Sequence, residues 1–115
     1  MISTLAAFGG SPVAVDNLRR LRAAGATVLY GTDLGNTRDT GPSGDEVSLL
    51  RDAGLDDAAI TAAMTTVPLA YWKLPLATLE RGSEATLLVL ERDPRTDVTV
   101  LLDPRGVYLR GQRLR

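Results

Sequence analysis

The chain of 115 residues contains no cysteine and no histidine. Without cysteine there is no disulfide, no thiolate metal site and no cysteine nucleophile, and nothing from which to infer a redox compartment. Without histidine, the side chain that most often shares metal binding or proton transfer with a carboxylate is missing. Long apolar runs are lacking too. None approaches the ~20 residues that cross a bilayer, and the opening "MISTLAAFGG" has no basic region ahead of its few apolar residues, so it reads neither as a signal peptide nor as a span. No membrane association and a cytoplasmic location are the expectation. An excess of either charge is also absent, with thirteen basic residues against fourteen acidic ones, which leaves no broad field to attract nucleic acid. Arg105, Arg110, Arg113 and Arg115 are the local exception, and a solvated strand face accounts for them more simply than a phosphate site.

What is present suffices for a core: 44% of residues are hydrophobic and 23% charged, with aromatics at only 4%, as in a globular chain of domain size. After a short apolar run over residues 2–8, "GGSP" marks a helix start, since Ser11 can cap and Pro12 sits where proline loses no hydrogen bond. In "PVAVDNLRRLRAAG" Ala14, Leu18 and Leu21 share a helical face, Asp16, Arg19, Arg20 and Arg22 turn away from it, and Gly25 supplies the stop. "ATVLY", residues 26–30, is continuously apolar, which suits a strand covered on both faces, as in a parallel sheet. The order strand, helix, strand follows, closed by a right-handed crossover, with the loop after the strand on the side where α/β proteins place ligands.

The stretch "GNTRDTGPSG" is a loop. Ser43 and Glu46 then form a capping box ahead of a helix that ends at Gly54, and Asp56 caps a second helix, with Leu55 set to pack on Ile60, running through Ala63 and Met64 towards Pro68. Further on, "ATLLVLE" reads as a buried strand, "DPRTD" as a turn, and "VYLRGQRL" as a hairpin about Arg110-Gly111. Residues 1–72 are thus the α/β part and residues 73–115 a β-rich part.

Asp33 lies just beyond the apolar strand, in "LYGTDLGN". An aspartate there commonly does no more than order a loop through its side-chain hydrogen bonds, and Thr32 and Asn36 suit loop hydrogen bonding as well as substrate contact. Asp39 and Asp45 read as loop and helix-start charges rather than as the second member of a catalytic pair.

The order of the pieces carries more. "NLRRLRAAGATVLYGTDLGN", "GDEVSLLRDAGLDDAAITAAMTTVPLAYWKL", "LERGSEATLLVLERDPRTD" and "PRGVYLRGQRL" together resemble the C-terminal portion of the metal-dependent amidohydrolases of the imidazolonepropionase and prolidase-like group, over nearly the whole chain. The chain departs from that pattern at Thr86, where relatives carry an aspartate.

The resemblance implies an α/β fold made of the last two βα units of a (β/α)8 TIM barrel, followed by the C-terminal strands of a small β-sandwich. It implies that Asp33 is the last-strand aspartate, both metal contact and catalytic base, with Thr32, Leu34, Gly35 and Asn36 at the mouth of the site. It also implies that the metal-binding histidines stand elsewhere. The expectation is therefore a C-terminal segment or small subunit of a split amidohydrolase, active only with a second polypeptide that carries the N-terminal barrel strands and the histidines. Its reaction is hydrolysis of an amide, cyclic amide or related C–N bond in a small-molecule substrate, with a divalent metal, zinc, bound mainly by the partner. A carboxylate beside metal-bound water can accept its proton, but one carboxylate without imidazole or thiolate does not build a zinc site. Two of eight barrel units leave open strand edges, so the chain is expected to bind that partner or to self-associate. The alternative reading is a non-catalytic remnant serving as a structural or binding oligomer.

Overall fold

The computed structural model describes residues 1–37, 40–74 and 78–115. Helix α1 (Pro12–Ala23) begins with proline in its first turn. The Ser11 hydroxyl makes no cap; its carbonyl accepts the Val15 amide at 3.1 Å instead. Val15 and Leu18 form the buried side, with Ala14 packed beside them, while Leu21 remains 47% exposed. The helix ends as expected at Gly25. With φ at 90°, that residue donates to Arg22 at 2.9 Å and Ala26 donates to Leu21 at 3.0 Å, the paired bonds of a Schellman ending. Helix α2 (Gly44–Asp52) closes the same way at Gly54 and Leu55, with bonds to Arg51 and Leu50 at 2.8 and 3.1 Å. Arg19 and Arg22 of α1 donate to the Asp52 and Gly54 carbonyls, each at 2.7 Å, placing positive charge at the negative end of α2.

Only half of the expected capping box forms. The Ser43 hydroxyl accepts the Glu46 amide at 3.4 Å, but the Ser43 amide is bonded to the Tyr30 hydroxyl. Glu46 therefore turns elsewhere, and its Oε2 accepts the Ala6 amide at 2.7 Å, tying the short 3-10 helix Ala6–Phe8 to α2. Helix α3 (Asp57–Met64) is capped by the Asp56 carboxylate on the Ala59 amide at 2.8 Å. It breaks at Thr65, and Pro68 falls in the first turn of a separate helix, α4 (Thr66–Tyr71), where its missing N–H leaves no gap.

Leu18, Val47, Leu50, Ile60 and Val98 are at most 1% exposed, and each such side chain contributes about 1.5–3 kcal/mol by leaving water. They form one cluster with Leu5, Val15, Val28, Ala53, Leu55 and Leu101. Val98 and Leu101 come from a second 3-10 helix, Val98–Leu101. Asp97 caps it by accepting the Thr99 amide at 3.1 Å, and the expected "DPRTD" turn precedes it, where Arg95 beside Asp93 holds that carboxyl down to about 2.

The Arg51 guanidinium grips the Asp57 carboxylate at 2.8 and 2.9 Å, and the Val98 amide donates to the same group at 3.1 Å. The Arg51 hydrogen bonds hold the Asp57 carboxyl below its usual value, and the Val98 amide adds to the effect. A depressed folded-state pKa gives stability that is fully present above the unfolded value of about 3.9 and is lost as pH falls through the folded value. Asp57→Asn should therefore cost about 1 kcal/mol at neutral pH, since the Arg51 side of the pair is exposed, and the cost should shrink below pH 4. Urea titrations of both proteins between pH 7 and pH 3 measure this. A cost independent of pH would contradict it.

The strands are few. β1 (Leu87–Val89), β2 (Gly106–Leu109) and β3 (Gln112–Arg113) make a three-stranded antiparallel sheet in that order. Leu87 faces Tyr108 and Leu88 faces Val107, while Tyr108 faces Arg113 and Leu109 faces Gln112. The hairpin about Arg110-Gly111 is present, and both turn residues have positive φ, 52° and 78°, as two-residue hairpin loops of the primed type require.

The expectation of two βα units of a (β/α)8 barrel followed by sandwich strands is overturned: the described residues form four helices and this small antiparallel sheet, with no barrel. Residues 26–30 are buried in part, as their apolarity demands, but no parallel sheet receives them. A single parallel bridge joins Leu29 to Ile2, with Ser3 donating to Leu29 at 2.7 Å and Leu29 to Met1 at 2.8 Å. Val28 is covered by packing within the helical cluster instead. The run over 85–91 is likewise no buried strand, since Leu88 and Val89 are 44% and 45% exposed. Among the described residues no helix is long and apolar enough to cross a membrane.

Candidate functional site

The loop bearing Asp33 is fixed from both sides. Upstream, the Tyr30 amide donates to Ala63 at 3.1 Å, and its hydroxyl bonds both the amide and the carbonyl of Ser43, so the segment is pinned to α3 and to the start of α2. Gly31 follows, and a side chain there would lie 2.7 Å from the Ser3 carbonyl oxygen; glycine is what lets the two backbones approach. Downstream, the Asp33 carbonyl accepts the amides of Asn36 and Thr37 at 3.0 and 3.2 Å, and Thr37 Oγ1 donates to the Thr32 carbonyl at 3.2 Å. A parallel bridge joins Leu34 to Thr37.

Asp33 adopts φ of 56°, the left-handed region that aspartate and asparagine enter more readily than other non-glycine residues. Both its carboxylate oxygens accept from Asn36 Nδ2 at 3.2 Å. That amide contact neutralises no charge and leaves each oxygen with further acceptor capacity. Thr32 is half-buried, whereas Leu34, Gly35 and Asn36 are exposed, Leu34 by 70%. Thr32, Asp33, Leu34, Gly35 and Asn36 thus share one tight turn, and Asn36 touches the carboxylate directly. Asp39 lies outside the described residues. Asp45 stands exposed in the first turn of α2, where negative charge favours the helix.

Among the described residues no three histidine, cysteine, aspartate or glutamate side chains come together as a metal site would need, so the described donors do not by themselves fit zinc. The C-terminal arginines find local partners: Arg105 with Glu91 at 2.7 Å, Arg110 with Glu84 at 3.8 Å and Arg115 with Asp103 at 2.6 Å.

Sequence reasoning gave Tyr30 and Gly31 no role of their own and Glu46 only that of a capping-box partner, whereas all three position this loop and its neighbours. A tyrosine closing an apolar run and a glycine directly after it were the signal for the first two. Glu46 is completely buried, and nothing in its surroundings in sequence distinguishes it from an ordinary capping-box glutamate. Compared with protein-family models, with curated proteins and with solved structures, the chain matches none.

Proposed function

We propose that this polypeptide is the C-terminal segment or small subunit of a metal-dependent amidohydrolase, to whose site it contributes the Asp33 carboxylate while histidines of another chain hold most of the metal. The substrate class is an amide, cyclic amide or related C–N bond. Thr32, Leu34, Gly35 and Asn36 line the mouth, with Asn36 as the polar substrate contact. The observation that supports this reading is the presentation of Asp33: a turn fixed at both ends holds a carboxylate whose side-chain partner among the described residues is a neutral amide. The order of the motifs in the sequence supports it as well. Zinc is the expected metal, and because this chain lacks a donor set for it, the ligands other than Asp33 belong to the partner.

A second reading is favoured by the same hydrogen bonds. Asp33 accepts through both its carbonyl and its carboxylate within five residues, which is what an aspartate that only orders a loop does; the chain would then be a structural or binding oligomer. Co-expression with a candidate chain bearing a His-x-His motif separates the two. The enzyme reading expects metal-dependent hydrolysis by the complex and a loss of about 10²–10⁴-fold in Asp33→Asn while the complex still assembles. Undiminished hydrolysis in Asp33→Asn, or none with any such partner, favours the structural reading.

A further inference from the structure

We draw no further inference here: the strongest candidate, the aliphatic face of the three-stranded sheet where Leu88, Val107 and Leu109 lie together, is an unpartnered apolar surface, and nothing in the structure shows what covers it.

Discussion

Gly31→Ala is expected to cost about 2–3 kcal/mol of stability, and Gly31→Val more. The backbone at this position is not in the left-handed region, so conformational strain is not the reason. The added methyl would meet Ile2 Cγ2 at 2.6 Å and the Ser3 carbonyl oxygen at 2.7 Å. Ile2 is half-exposed and its side chain can rotate away. The Ser3 carbonyl cannot, because the Ser3 amide is bonded to Leu29 and the Leu29 amide to Met1. Relief requires pulling the 1–3 segment off the 27–30 segment, and forced expansion of a tight contact costs about 1–3 kcal/mol or more. Gly41→Ala, with open space around it, is the control and should stay within about 0.5 kcal/mol of the parent. Urea unfolding of the three proteins measures the difference. Equal midpoints for Gly31→Ala and Gly41→Ala would mean that the two backbone segments are not in contact.

The second large effect is expected at Glu46. Its side chain is completely buried, one carboxyl oxygen accepts the Ala6 amide and the other has no hydrogen-bond partner among the described residues. Glu46→Ala removes the acceptor and leaves the Ala6 amide without one, a loss of about 1–3 kcal/mol. The cavity left by the lost side-chain atoms adds to that, so about 3–4 kcal/mol in all is expected. Glu46→Gln keeps an oxygen for Ala6 and places its NH2 where the unpartnered oxygen stands, among groups that need offer it no acceptor. Its cost should lie between that of the alanine variant and zero. Should Glu46→Gln prove as damaging as Glu46→Ala, the acceptor to Ala6 would not be what the position supplies.

Features whose cause is local were legible in the sequence. Gly25 and Gly54 end helices because a left-handed residue is needed at those points, Asp56 caps because its oxygen reaches an amide three residues on, and Arg110-Gly111 turns because Gly111 takes positive φ without strain. Features set by distant partners were not legible. The apolar run over 26–30 announces burial, but Val28 is covered by the helical cluster and, among the described residues, a single parallel bridge from Ile2 pairs with the run. "VTVL" has the β-branched composition of a strand, yet it forms a 3-10 turn, because its cap at Asp97 and the cavity filled by Val98 and Leu101 reward that shape. At the candidate site, the position of Asp33 in a turn followed from the glycine-rich loop. Its grip by Asn36 and the anchoring of the loop through Tyr30 to Ser43 depend on which helix starts beside it.

The 3-10 turn Val98–Leu101 lies in sequence between β1 and β2, so the chain leaves the sheet, enters the helical core and returns to pair with the strand it left. The two parts are thereby stitched together through buried side chains. Amide hydrogen exchange should then divide the molecule into two cooperative units. Amides of α2, α3 and the 98–101 turn should exchange only on global unfolding, whereas those of β1, β2 and β3 should open in a smaller, cheaper fluctuation that leaves Val98 and Leu101 seated.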